Sequence, residues 1–295
     1  MSSRPHPTET RYAVLAILLS VAALSLGDAV IKATGLALPL WQMLILRSAL
    51  VAPVLWWLAR RGGGPVLRRP HWALLRAGLL VAMWLCNYTA LPLMPLSLAA
   101  AAYYTGPLFI VVLAALVARR WPRRQALLAI LAGFIGVLMV IRPDMSGFAP
   151  GTLLPVLAAV LYAAAMVLTA ATCREENPFG LALVLNLSFV LGGAVLGLFS
   201  GREGSFMLGP WQGVDLSLLI TVAGLALLIL IGSVGAAIAY QKGPPATVAA
   251  FDYSYLVFSL IWGALFFAEV PGRVALLGIA LILGAGLFAL PGRKN

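Results

Sequence analysis

The sequence predicts an all-α membrane protein, with ten transmembrane helices in two inverted five-helix repeats around a central cavity. Three observations carry this prediction: the composition, a series of apolar runs of membrane length, and an internal repeat. Of the 295 residues, 62% are hydrophobic and only 10% are charged, and the mean hydropathy is +1.02. Soluble globular domains are far more polar than this, so we expect the chain to lie in a lipid bilayer.

Apolar runs close to the roughly 20 residues that cross a hydrocarbon layer follow one another along nearly the whole chain. The first run is longer than the apolar core of a cleavable signal peptide, so we expect it to be retained. We predict ten spans, at residues 12–33, 38–58, 72–92, 96–118, 125–141, 152–172, 180–199, 216–240, 246–268 and 274–290. Residues 1–11 and 291–295 are then short cytoplasmic tails, and residues 12–145 and 150–290 form the two repeats.

The formal net charge of +11 is concentrated in alternate loops. The loops after the second and fourth spans hold the arginines Arg60, Arg61, Arg68, Arg69, Arg119, Arg120, Arg123 and Arg124, and the loop after the third span holds no charge. Under the positive-inside rule this pattern places both termini in the cytoplasm, and we expect the cytoplasmic (inner or plasma) membrane. Short loops do not form the continuous basic face that nucleic acid requires, so no nucleic-acid partner is expected.

The second half of the chain repeats the first at an offset of 149 residues. The offset superposes Pro95 on Pro244, Tyr104 on Tyr253, Thr105 on Ser254, Pro122 on Pro271 and Arg124 on Arg273. Such self-similarity indicates a duplicated unit. Because each unit holds five spans, an odd number, the second unit must enter the membrane upside down relative to the first.

Two opposite charges fall near the middle of predicted spans. By helix rise, Arg47 lies roughly 13 Å from the outer end of the second span, and Asp252 lies roughly 9 Å from the inner end of the ninth. A charge at the bilayer centre costs about 3 kcal/mol, so both should face the interior, either as an ion pair or separately. Asp28 and Lys32 form an i, i+4 pair near the outer end of the first span. Either this pair meets a zwitterionic ligand, or Lys32 only extends to the lipid headgroups.

Tyrosines near mid-span form a second group of candidates, because a phenol hydroxyl there needs a hydrogen-bond partner. The repeat superposes Tyr104 on Tyr253, so we expect the two at mirror-related positions on the cavity wall. Gly106 and Pro107 either interrupt the fourth span at the site or kink it. The predicted cavity residues are Asp28, Lys32, Trp41, Arg47, Trp84, Asn87, Tyr88, Tyr103, Tyr104, Tyr162, Asp252, Tyr253 and Tyr255.

The sequence does not indicate an enzyme. No His, Cys or carboxylate cluster has metal-ligand spacing, and no glycine-rich phosphate loop is present, so neither a metal nor a cofactor is expected. An intramembrane aspartyl protease is a remote alternative, since it requires two carboxylates about 3 Å apart. Helix rise instead places Asp28 roughly 24 Å and Asp252 roughly 9 Å from the inner face.

Four stretches carry a family resemblance: LSLGDAVIK, LWQMLILRSALVAP, PLSLAAAAYYTGPLFIVVLAAL and PPATVAAFDYSYLVFSLIWGALFFAEVPG. Together they resemble the EamA family of the drug/metabolite transporter superfamily. The resemblance implies a secondary transporter that works by alternating access, with a cavity between the halves and with spans five and ten as peripheral supports. Glu269 fits the family's glutamate before the fifth span of a repeat, whereas Arg120 replaces that glutamate in the first half.

A cavity with aromatic rings, hydroxyls and few charges suits a small amphipathic solute. Among the transporters of the EamA family, which the sequence resembles, we therefore expect an exporter of hydrophobic or aromatic amino acids. Uptake of a nucleoside-like compound or a riboflavin-like vitamin is the alternative. Coupling to protons is expected to involve Asp252, and both a monomer and a homodimer remain open.

Overall fold

The computed structural model describes residues 7–33, 38–61, 65–90, 103–141, 153–201, 203, 205–268 and 272–289. Within these ranges all regular structure is helical. The helices are α1 (Pro7–Ala33), α2 (Leu40–Arg61), α3 (Pro70–Ala90), α4 (Gly106–Ala118), α5 (Arg124–Ile141), α6 (Leu153–Thr172), α7 (Pro178–Gly197), α8 (Leu216–Lys242), α9 (Pro245–Asp252), α10 (Ser254–Phe267) and α11 (Arg273–Ala289).

Six helical segments are long and apolar enough to cross a membrane by length and composition. They are Glu9–Ile31, Leu40–Arg61, Leu153–Thr172, Pro178–Gly197, Leu216–Lys242 and Pro245–Phe267. Three shorter apolar helices, Gly106–Ala118, Arg124–Met139 and Arg273–Ala285, coincide with parts of predicted spans. The prediction of an all-α membrane protein is confirmed, while the count of ten spans stays a prediction.

Two helix interruptions fall at the same position of the repeat. In the second half, Tyr253 separates α9 from α10, so the ninth span consists of two helical segments. In the first half, Tyr104 and Thr105 form a turn just before α4 begins at Gly106. Pro107 therefore lies in the first turn of a helix, where a missing N–H costs nothing. Gly106 and Pro107 thus form the start of α4, and the part of the predicted fourth span before Tyr103 lies outside the described residues.

Helix packing has the symmetry expected of two repeats. The counterparts in the two halves are α1 and α6, α2 and α7, α3 and α8, α4 and the α9–α10 segment, and α5 and α11. The contact of α1 with α8 corresponds to the contact of α6 with α3. The contacts of α1 with α9 and α10 correspond to the contact of α6 with α4. α2 packs against its own counterpart α7, and α5 against α11. Exchanging the halves therefore reproduces these contacts.

Glycines allow α2 to approach α7 closely, and likewise α5 to approach α11. A Cβ at Gly193 in α7 would lie 2.8 Å from the Trp41 carbonyl oxygen in α2. A Cβ at Gly136 in α5 would lie 2.8 Å from the Gly278 carbonyl oxygen in α11. Small residues at helix crossings are typical of membrane proteins, because packing rather than hydrophobic burial drives association there.

The outer surfaces of α5 and α11 are apolar. Large exposed side chains on these two helices include Leu128, Ile135, Leu277 and Leu287. Such a surface fits contact with lipid. Both helices thus present large apolar side chains on their exposed faces.

Candidate functional site

Asp252, the last residue of α9, holds two tyrosines from the same half of the chain. Its Oδ2 accepts a hydrogen bond from the Tyr162 hydroxyl of α6 at 2.6 Å and from the Tyr240 hydroxyl of α8 at 3.1 Å. Tyr240 is fully buried. Hydroxyl donors to a carboxylate are strong hydrogen bonds, so this carboxylate ties α9 to α6 and α8.

Tyr255, on the other side of the helix interruption, faces the first half of the chain. Its hydroxyl donates a hydrogen bond to Asp28 Oδ2 in α1. The ninth span is therefore bonded to the second repeat through Asp252 and to the first repeat through Tyr255. Only Tyr253 and Ser254 separate these two attachment points.

Four tyrosine rings form a continuous row between the two carboxylates. We call Tyr103, Tyr104, Tyr162 and Tyr255 the tyrosine cluster. Ring centroids are 6.1 Å apart for Tyr162 and Tyr103, 5.8 Å for Tyr103 and Tyr104, and 5.8 Å for Tyr104 and Tyr255. These distances are in the range of favourable aromatic contacts. The row begins at the Asp252 carboxylate and ends at that of Asp28.

Arg47, in α2, lies on the Asp28 side of this interior. Its Cζ is 5.7 Å from the ring centroid of Trp84 and 5.4 Å from that of Phe189, distances typical of cation–π contacts. The guanidinium also attracts Asp28 electrostatically. Asp252, in contrast, is bonded to tyrosines. An Arg47–Asp252 ion pair, one of the two alternatives from the sequence, is not formed in the described part of the chain.

Two predicted cavity residues lie away from the tyrosine cluster. Trp41 donates from Nε1 to the Gly209 carbonyl at 2.9 Å and contacts the Trp211 ring at 5.4 Å, so it holds the start of α2 to the segment before α8. Tyr253 is fully buried against α5, where a Cβ at Gly133 would lie 2.5 Å from its ring. Tyr253 therefore packs on α5 and is not part of the tyrosine cluster.

The remaining predicted residues lie on the expected helices. Asn87 is half-buried near the end of α3. The backbones of Lys32 and Tyr88 belong to α1 and α3, but their side chains are outside the described part of the structure. Glu269, which carried part of the family resemblance, also lies outside the described residues, and Arg120 is exposed in the turn after α4.

Sequence reasoning missed Tyr240 and Arg76. Each lies within two turns of a predicted span end, where a tyrosine is usually part of the interfacial aromatic belt and an arginine usually extends to the headgroups. The structure buries both side chains, with exposures of 0% and 1%. Their position in an apolar run was the available signal, but it did not give the face of the helix on which they lie.

The arginine-rich end of the bundle is closed by hydrogen bonds between the two halves. The Glu176 carboxylate accepts from the backbone N–H groups of Arg68 at 2.7 Å and Arg69 at 2.8 Å, just before α3. Asn177 donates to the Ala59 carbonyl of α2 at 2.8 Å. Within the second half, Gln241 of α8 supports Glu176 by donating to its carbonyl at 2.9 Å. We call these contacts the Glu176 seal.

Next to the seal, Gly180 packs so closely on the Val66 carbonyl that a side chain there would collide with it. Cys173 is fully buried behind the seal. Gln241, which donates to the Glu176 carbonyl, also donates to the Cys173 carbonyl at 2.6 Å. No group of three His, Cys, Asp or Glu residues that could hold a metal lies within the described ranges.

Proteins that are similar to this chain in sequence are named as transporters. The EamA-like transporter family matches residues 11–142 and 149–290. A riboflavin transporter of Brucella anthropi is 29% identical over 85% of this chain and 86% of its own. A pseudopaline exporter of Pseudomonas aeruginosa is 26% identical over 92% of this chain and 93% of its own. One protein crystal structure superposes with a TM-score of 0.80 at 22% identity, over 97% of each chain, which supports the fold alone. The chain therefore belongs to the EamA-like transporter family, as an integral membrane protein that transports small molecules and is not an enzyme.

Proposed function

We propose that the protein is a secondary transporter that moves a small metabolite with a flat ring and a polar end, by alternating access to the tyrosine cluster. The observation that carries this proposal is the row of four tyrosine rings between the carboxylates of Asp252 and Asp28. The row lies where α1, α6 and the ninth span meet, and these elements come from both halves of the chain.

The chemistry of the tyrosine cluster selects an amphipathic solute. Phenol rings offer a flat apolar surface against which a substrate ring can stack. The hydroxyls of Tyr162 and Tyr255, and the carboxylates that they contact, supply polar groups at the two ends of the row. Sites for small molecules commonly combine apolar walls with a few polar groups in this way.

Two substrate classes meet this description. The first is a riboflavin-like or nucleoside-like compound taken up by the cell, which the relative named a riboflavin transporter supports. The second is an aromatic amino acid exported from the cell. The charges of Asp28 and Arg47 at one end of the cluster favour this class, because a zwitterion would meet both signs of charge there.

We further propose that the arginine-rich loops face the cytoplasm and that both termini do so as well, in the cytoplasmic membrane. Residues 12–145 and 150–290 are then two inverted units, and the Glu176 seal is the closed cytoplasmic side. Because one chain supplies both repeats, a monomer is sufficient for transport, and a homodimer would need no exchange of residues between sites.

Asp252 is our candidate for proton coupling. Its described partners are hydroxyls rather than a cation, and an unpaired carboxylate charge inside a membrane is costly. A proton, or a cationic group of the substrate, would remove that cost during transport. The carboxylate could thus couple the movement of the ninth span to a proton gradient.

Reconstituted liposomes test the proposed function. Radiolabelled riboflavin, tryptophan and alanine are offered to proteoliposomes with and without a pH gradient. We expect saturable transport of a ring-bearing solute that exceeds transport of alanine. Transport of no ring-bearing solute above protein-free liposomes would contradict the proposal.

A further inference from the structure

Arg76 is a buried cation that the proposed tyrosine site does not use. It lies in α3 with 1% of its surface exposed. Its Nε donates to Thr169 Oγ1 of α6 at 2.8 Å, and Thr169 in turn donates to the Ala165 carbonyl. Nη1 of the same guanidinium is buried and has no hydrogen-bond partner in the described part of the chain.

Such an arrangement is energetically incomplete. A guanidinium carries five N–H donors and stays charged, and a buried charge is stabilised only when it is paired and fully hydrogen-bonded. Among the residues that the structure describes, no carboxylate forms an ion pair with Arg76. Thr169 supplies a dipole but no negative charge. An anion would supply both a partner for Nη1 and the missing negative charge.

The position of Arg76 connects it to the tyrosine cluster. Its anchor Thr169 follows Tyr162 by seven residues on α6, which is two helical turns on the same face and roughly 10 Å along the axis. The Tyr162 hydroxyl and the Cys173 thiol are within electrostatic range of the guanidinium. Arg76 thus lies between the Asp252–Tyr162 hydrogen bond and the Glu176 seal.

We propose that Arg76 is a binding site for the carboxylate of a ring-bearing substrate, reached from the arginine-rich end of the bundle when the Glu176 seal opens. The inference rests on the proposed transport of ring-bearing metabolites and narrows it to carboxylate-bearing ones. A planar guanidinium with a free N–H matches the planar carboxylate. In the closed state Thr169 holds the side chain in place through Nε, and Nη1 is left for the ligand.

Binding to the purified protein tests this site separately from transport, with three probes that share an indole ring. Indole-3-acetate carries a carboxylate, indole is neutral and tryptamine is cationic. We expect indole-3-acetate to raise the melting temperature at concentrations about tenfold or more below those needed for the other two, since a hydrogen bond to a charged group is worth that much. Equal affinities for indole-3-acetate and indole in the wild-type protein would overturn the proposal.

Variants assign the preference to Arg76. Arg76→Gln should lower the affinity for indole-3-acetate about tenfold or more and leave that for indole unchanged. Arg124→Gln, at an exposed position in α5, is the matched control and should keep the preference. A preference for the carboxylate that persists in Arg76→Gln would overturn the proposal, because another cation would then hold the anion.

Arg76→Lys serves if the glutamine variant does not fold. It keeps a buried cation but lacks the planar fork, so it should bind indole-3-acetate severalfold more weakly, and an unchanged affinity would overturn the proposal. Failure of this inference remains distinct from failure of the proposed function. If the inference fails, binding shows no preference for the carboxylate-bearing probe. If the proposed function fails, liposomes show no transport of ring-bearing solutes.

Discussion

Tyr255 in α10 donates a hydrogen bond to Asp28 in α1, across 227 positions of sequence and between the two halves of the chain. Three residues earlier, Asp252 holds Tyr162 and Tyr240 of its own half. The interruption at Tyr253 lies between these attachments. Movement of the ninth span relative to either half must therefore strain or break one of the two sets of hydrogen bonds.

The Tyr255–Asp28 hydrogen bond should be visible as energetic coupling between the two residues. Tyr255→Phe and Asp28→Leu each strand a polar partner, whereas the double variant removes both. We expect the double variant to lose about 1 kcal/mol less stability than the sum of the single variants. Chemical unfolding of the purified protein measures this, and Tyr255→Phe combined with the exposed Arg124→Gln should be additive. Additivity for Tyr255 and Asp28 would show that the hydrogen bond does not stabilise the protein.

Asp252→Asn should separate proton coupling from substrate exchange. The asparagine oxygen can still accept from Tyr162 and Tyr240, but the side chain no longer carries a titratable proton. We expect transport driven by a pH gradient to be abolished in proteoliposomes, while exchange without a gradient persists. Equal loss of both activities, at normal protein yield, would instead assign Asp252 to substrate binding or gating.

Breaking the Glu176 seal should expose the native thiol of Cys173. In a Cys86→Ser background, Glu176→Ala removes the acceptor for the Arg68 and Arg69 amides. We expect maleimide to label Cys173 at least severalfold faster. The neighbour Glu175 pairs with Arg68 only at the surface, at 3.4 Å, so Glu175→Ala is a close control and should leave the rate unchanged. Equal rates in the two variants would mean that Glu176 does not close this end.

Gly133 should be required for the position of the ninth span. A Cβ there would lie 2.5 Å from the Tyr253 ring, and overpacking of this kind costs about 1–3 kcal/mol. We therefore expect Gly133→Ala to lower the melting temperature. Gly284→Ala in α11 has no atom within 4 Å of the new Cβ and should be neutral or stabilising, because alanine favours helix. A stable Gly133→Ala protein would contradict the packing of Tyr253 on α5.

The repeat offset carried much of the fold prediction. Apolar runs of membrane length predicted the long helices, and the offset that superposes Tyr104 on Tyr253 also superposes the two helix interruptions. The neighbours of a side chain at these interruptions were not predictable, because a turn in the backbone changes the direction in which the side chain points. Tyr104 consequently joins the tyrosine cluster, whereas Tyr253 faces Gly133.

The candidate site was predictable mainly where a polar residue lies at mid-span. Asp252, Tyr162 and Tyr103 were found in this way, because burial there leaves few alternatives to an interior position. Tyr240 and Arg76 lie closer to the span ends, where extension to the headgroups is equally favourable. Only the packing of α3 and α8 against other helices buries them, and sequence periodicity does not specify such neighbours.

Transport by Tyr104→Ala and Tyr253→Ala variants is the most direct test of the claim that the tyrosine cluster binds the substrate ring. Both variants remove one tyrosine ring at equivalent repeat positions, but only Tyr104 belongs to the cluster. In proteoliposomes, Tyr104→Ala should lower transport of the ring-bearing solute about tenfold relative to a ringless one, in line with one lost aromatic contact. Tyr253→Ala should leave that ratio unchanged. An unchanged ratio in Tyr104→Ala, or an equal fall in both variants, would contradict the assignment of the site.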